Sequence, residues 1–148
     1  MSDNRPPLMA VSVDVAAFTE RDGVTMVTLI ERANEPHKGA WALPGGFVEL
    51  DEDLPTAASR ELAEETGLEI PPSRLSQVGA YGAPDRDPRL RVVTVVFWAF
   101  VPDLADPVGD SDAARSLLFP LAEALSPQFE LAFDHPVVLS DAIEAAGL

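Results

Sequence analysis

The stretch over residues 45–68 reads GGFVELDEDLPTAASRELAEETGL. Its second half predicts a helix over residues 55–66. Pro55 suits a first turn, where its missing N–H costs nothing. Asp51, Glu52 and Asp53 put negative charge at the positive end of the helix dipole, and Gly67 is a natural stop. Ala57, Ala58, Leu62 and Ala63 supply a small apolar stripe. Residues three and four apart share a helix face, so Glu61, Glu64 and Glu65 stand on one ridge. Unpaired, they repel, and Arg60 offsets only part of that repulsion through Glu64, one turn away. Three hard oxygen donors on one side call for a hard cation, Mg2+ or Mn2+. Such a cation is readily shared with phosphates, which points to a phosphate ester or anhydride as substrate. For the triplet alone, a solvated acidic face is the competing reading.

The chain around this segment has 148 residues, with 10 Lys and Arg against 25 Asp and Glu, a formal charge of −15. That length suits one domain, and 47% hydrophobic residues can form a real core. The acidic balance argues against nucleic acid as a partner, since phosphate backbones are met by clustered Lys and Arg. An anionic substrate would need divalent metal to approach such a protein. With no cysteine, thiolate metal sites, disulfides and cysteine nucleophiles are all excluded. No signal peptide or membrane-spanning run is evident, so a cytoplasmic protein with no membrane partner is expected.

Residues 1–7 read as a loose tail and 8–148 as one domain. Val11, Val13 and Val15 alternate with polar residues at strand period, Arg21-Asp22-Gly23 reads as a turn, and Val24 to Ile30 is β-rich, so the two runs form a hairpin. Pro84 to Arg89 is a polar loop between two β-like stretches, the second of which, Val92 to Val101, should be a central strand buried on both faces. Residues 102–116 read as a long acidic loop, 120–125 as a short helix and 137–146 as a terminal helix, with Asp134 or His135 at its cap. This order fits an α/β (α+β) fold, a mixed sheet with helices packed on its faces.

From Gly46 the chain reads Gly, five residues, Glu52, seven residues, then Arg60-Glu61-Leu62-Ala63-Glu64-Glu65-Thr66-Gly67-Leu68. This pattern resembles the complete box of the Nudix hydrolases. The resemblance implies an α/β/α sandwich around a mixed β-sheet, with the box forming a loop-helix-loop. It also implies hydrolysis of a nucleoside diphosphate linked to another moiety, with Mg2+ or Mn2+ as cofactor. Carried onto this chain, Glu61, Glu64 and Glu65 would be metal ligands, joined by the Gly45 carbonyl. Glu52 would pair with Arg60 and so orient the helix carboxylates, while Gly46 and Gly67 would serve the flanking turns. Glu64, Glu65 and Arg60 would carry the catalysis. The general base is left open between a box glutamate and Asp103, Asp106, Asp110, Asp112 or Glu123.

Glu35 to Val48 (EPHKGAWALPGGFV), Asp85 to Arg89 (DRDPR) and Leu131 to His135 (LAFDH) are similar to the ADP-ribose-handling Nudix domains, including the sensor half of bacterial NAD-metabolism repressors. The resemblance therefore implies cleavage of ADP-ribose to AMP and ribose 5-phosphate. The alternatives are pyrophosphohydrolysis of (oxidised) dNTPs or NTPs, or a non-catalytic ADP-ribose-binding module. Arg86, Arg89 and Arg91 are the expected substrate-binding residues, because guanidinium forks suit phosphate oxygens; the bland alternative is pairing with neighbouring acids such as Asp85 and Asp87. Trp41, Phe47, Tyr81 or Phe133 could stack on a base, against a plainer role in the core. His135 is expected to cap the last helix rather than touch substrate. Those repressors continue into a DNA-binding domain, and the end of this chain at Leu148 leads to the expectation of a stand-alone hydrolase, with a homodimer implied by the resemblance alone.

Overall fold

Asp22 and Gly23 both adopt positive φ, 52° and 79°, and close a two-residue hairpin in which Arg21 faces Val24. The computed structural model describes residues 4–109 and 115–148. The hairpin joins β1 (Ala10–Arg21) to β2 (Val24–Glu31) and is followed by two short strands, β3 (Trp41–Ala42) and β4 (Gly45–Phe47). Helix α1 (Leu54–Thr66) comes next, then a 3-10 turn (Pro72–Arg74), β5 (Ser76–Tyr81) and β6 (Val92–Phe100). The chain closes with β7 (Arg115–Pro120), the single-turn α2 (Leu121–Ala124) and α3 (His135–Ala146).

Among the described residues, seven strands form one mixed sheet. β1 is its organiser: it runs parallel to β6 from Ala10 to Phe18, pairs antiparallel with β2 at one end, and pairs with β4 at the other. Alternation along β1 splits the core. Val13, Val15 and Ala17 face α1 together with Val95, Phe97 and Ala99, whereas Ala16 and Phe18 face α3 with Val96. β6 is thus buried on both faces, as its unbroken apolar run predicts. Helices on opposite faces complete the expected sandwich.

Helix α1 starts one residue earlier than predicted, at Leu54. The Asp53 carboxylate accepts the Leu54 N–H at 2.8 Å, and Gly67 ends the helix at φ 72° with its N–H bonded to the Ala63 carbonyl. Ala57, Ala58, Leu62 and Thr66 form its buried side.

One expectation fails: residues 102–116 are not all loop. Arg115 and Ser116 begin β7, which pairs antiparallel with β2 along its whole length. Nothing in Arg115–Pro120 alternates clearly enough to announce a strand; pairing with residues some 90 positions earlier makes it one. Among the described residues no helix is long and apolar enough to cross a membrane.

Candidate active site

The pairing of β4 with β1 builds the site. It sets Gly45 opposite Asp14 and Gly46 opposite Val13, at the foot of α1. Both glycines are needed for close approach. A Cβ on Gly45 would collide with the Val13 carbonyl and the Asp14 carboxylate, and one on Gly46 would lie 2.5 Å from the Glu61 carboxylate. The expectation that Gly46 serves a turn is therefore corrected: it sits in a strand, and its missing side chain makes room for Glu61. Gly67 does serve a turn, at positive φ.

Arg60 is the hub. Its Nε and Nη2 grip Glu52 at 2.6 and 2.8 Å, its Nη1 reaches Glu61 at 2.8 Å and Glu64 at 3.3 Å, and Nη2 also donates to the Phe47 carbonyl. Glu52 in turn accepts the Glu49 N–H. The Arg60 fork holds the Glu52 carboxyl down to about 2 and pushes the guanidinium above its ordinary range. The box thus carries an ion pair from the loop before α1 to its middle turn, and that pair fixes the loop against the helix.

The three helix carboxylates have different surroundings. Glu64 is exposed. Glu61 is largely covered, and burial, only partly offset by Arg60, raises its carboxyl. Glu65 points inward and accepts the Gly45 N–H at 2.7 Å, so the observed Gly45 contact is through its amide. Burial is the main cause that pushes the Glu65 carboxyl up to about 8; nearby Glu61 and Asp14 push the same way. The donor chemistry suits a hard divalent cation, because desolvated carboxylates of raised affinity for protons are those that a cation would relieve. Among the described residues, however, no three acidic or imidazole groups already converge into a cage. Glu61 and Glu64 are instead held by Arg60.

Glu65 lies in the wall of a cleft lined also by Asp14, Arg32, Gly45, Gly46, Phe47, Arg86, Asp87, Arg89, Phe133 and His135. Two of the three sequence-predicted arginines reach it. Arg86 is buried and held by a two-pronged contact with Asp134, at 2.8 and 3.0 Å, while Arg89 is held the same way by Asp87, at 2.7 and 3.0 Å. Arg91 does not line the cleft; its Nη2 donates to the Gly82 carbonyl. Of the four aromatic candidates, Phe47 and Phe133 line the cleft, whereas Trp41 packs on Phe119 and the Tyr81 hydroxyl donates to Asp141. As for the later acids, Asp103, Asp106 and Glu123 do not line it, Asp106 being an exposed partner of Arg21. Asp110 and Asp112 lie outside the described residues.

Two residues here, Arg32 and Asp14, are not singled out by the sequence, and a third, His135, differs from its expected capping role. Arg32 leaves the end of β2, lies 4.8 Å over the Phe133 ring and shares that ring with Arg89 at 5.9 Å. Burial and the nearby Arg89 charge lower its affinity for its proton, the mark of a cation in need of an anion. Asp14 enters from β1, buried beside the Thr94 hydroxyl and the His135 imidazole. His135 does not cap α3: its imidazole is buried and its Nδ1 accepts the Leu43 N–H at 3.1 Å. Asp134 occupies the cap position, but its carboxylate is taken by Arg86.

Known proteins resemble this chain in sequence and in fold. The chain is 41% identical to the ADPR responsive transcriptional repressor NtrR of Acinetobacter baylyi over 95% of its own length, and spans 55% of that protein. It is 43% identical to an ADP-ribose pyrophosphatase of Methanocaldococcus jannaschii, covering 89% of this chain and 72% of that one. Its fold superposes on the NUDIX domain of Shewanella oneidensis NrtR, crystallised with ADP ribose, with a TM-score of 0.85 and 34% identity over 97% of this chain and 94% of that one. A family model described as NUDIX domain matches residues 8–141, which contain the box, both glycines and the cleft, and the chain therefore belongs to the Nudix family.

Proposed function

We propose that this protein is a divalent-cation-dependent pyrophosphohydrolase that converts ADP-ribose to AMP and ribose 5-phosphate. The observation that supports this most is the cleft itself, which brings Glu65 together with Arg32, Arg86 and Arg89 and with the Phe133 ring. A buried carboxylate, guanidinium charge and an aromatic face are what a pyrophosphate flanked by a base and two sugars requires.

Glu61, Glu64 and Glu65 would hold Mg2+ or Mn2+, which when bound neutralises phosphate charge and acidifies a water. The remaining work falls to the chain. Arg60, locked to Glu52, keeps Glu61 and Glu64 oriented. The Gly45 N–H positions Glu65, which borders the cleft and would take a proton from water. Arg32 and Arg89 converge over one ring and offer charge to the phosphates. Water adds across the anhydride: its oxygen bonds to one phosphorus, the bond from that phosphorus to the bridging oxygen breaks, and the bridging oxygen leaves on the other phosphate.

The likeness to the A. baylyi repressor favours a second reading, a sensor that binds ADP-ribose without turning it over. One assay separates the two. Release of the nucleoside monophosphate or other phosphate product with Mg2+ is measured on ADP-ribose, NADH, diadenosine polyphosphates, 8-oxo-dGTP and common NTPs. Preferred cleavage of ADP-ribose is expected. Activity on NTPs alone overturns the substrate, and tight ADP-ribose binding without product overturns the enzyme reading in favour of the sensor.

A further inference from the structure

Asp14 and His135 come from opposite ends of the chain and meet in the wall of the cleft, and none of the box chemistry uses them. Their side chains are 12% and 4% exposed. Each has one polar atom satisfied and one left over. Asp14 Oδ2 accepts from the Thr94 hydroxyl at 2.6 Å, and His135 Nδ1 accepts from the Leu43 N–H at 3.1 Å. A ring nitrogen that accepts presents its lone pair, so the ring proton sits on Nε2. That Nε2 faces Asp14 Oδ1 at 3.7 Å, beyond hydrogen-bond reach. A donor and an acceptor therefore stand side by side in a lined cleft, separated by too much for a direct bond and by little enough for one oxygen to touch both.

The chemistry of that oxygen is restricted. It must accept from Nε2–H and donate to a carboxylate. A phosphate oxygen can accept but would set its charge against Asp14. A base amino group can donate but cannot accept. A hydroxyl does both, in the place a bridging water would otherwise take. We propose that Asp14 and His135 form a recognition pair for one sugar hydroxyl of the nucleotide-linked substrate, separate from the arginines that meet the phosphates. The proposal rests on reading the cleft as an ADP-ribose-type site, and it makes Asp14 and His135 determinants of specificity.

The test is kcat/KM for ADP-ribose and for its monodeoxy analogues, each lacking one ribose hydroxyl, on the wild type and on Asp14→Asn and His135→Gln. On the wild type one analogue should fall by about 10²-fold or more, because removing that hydroxyl leaves a buried donor and acceptor unpaired. On either variant the same analogue and ADP-ribose should converge to within about 5-fold, the signature of a coupled contact. A purely structural role would weaken all substrates in parallel and leave their ratio at the wild-type value, which overturns the proposal. Should the variants fail to fold, the wild type still decides: the 15N resonance of His135 Nε2 should move on saturation with ADP-ribose and move differently with the poor analogue. An identical response to every analogue overturns the proposal. The two levels fail separately. ADP-ribose turnover with indifference to every hydroxyl removes only the recognition pair, whereas no binding or turnover of ADP-ribose removes the reading of the cleft and the pair with it.

Discussion

Glu65 makes stability depend on pH in the direction opposite to an ordinary surface carboxylate. In the folded, metal-free protein burial holds its proton up to about 8, while in the unfolded chain the ordinary value of 4.5 applies. Between those values the unfolded state binds fewer protons, so stability is full below about 4.5 and falls as pH rises toward 8. The gap is worth ~1.4 kcal/mol per pH unit, or roughly 5 kcal/mol as an upper bound, and partial contact with solvent at the cleft rim reduces this to about 2 kcal/mol. For a domain of this size that is roughly 5 °C in Tm. The assay is thermal unfolding in EDTA from pH 5 to 8.5, repeated with Mg2+ and on Glu65→Gln. Tm in EDTA should fall across the range. Mg2+ should restore it at the alkaline end, because a cation favours the charged carboxylate. Glu65→Gln should flatten the difference. A Tm that is level from pH 5 to 8.5 in EDTA, or a slope that survives Glu65→Gln, would refute the argument that burial of this carboxylate strains the metal-free fold.

Gly46→Ala places a methyl against the Glu61 carboxylate, so turnover should drop by about 10²-fold while Tm changes little, since a flexible side-chain end can move aside; an active variant would show that Glu61 need not occupy that spot. Glu52→Gln breaks the fork on Arg60 and should raise the Mg2+ concentration for half-maximal activity by about 10-fold or more, read from a metal titration. Arg32→Ala should raise KM for ADP-ribose by about 10-fold or more with a smaller change in kcat, and steady-state kinetics would expose the error if KM were unmoved. Leu62→Ala, at a fully buried point between α1 and the sheet, should cost about 2–5 kcal/mol, measured by denaturant unfolding.

The family and the helix of the box are legible in sequence because their causes are local. Asp53, Gly67 and the spacing of Arg60, Glu61, Glu64 and Glu65 act within one or two turns, where backbone geometry alone dictates which groups meet. The pairing of Glu52 with Arg60 spans eight residues and is likewise readable from the box. The doubly buried β6 announces itself by composition. The rest is set by strand register over long separations. Arg32 and Asp14 carry no signal of their own: an arginine after a strand and an aspartate in a valine run are each ordinary. β7 exists only because β2 offers it a partner. Sequence by itself determined the chemistry displayed along one helix. Tertiary structure decided which distant residues face that helix across the cleft, because contacts such as Leu43 with His135, 92 positions apart, depend on how the sheet closes and not on any property of either segment alone.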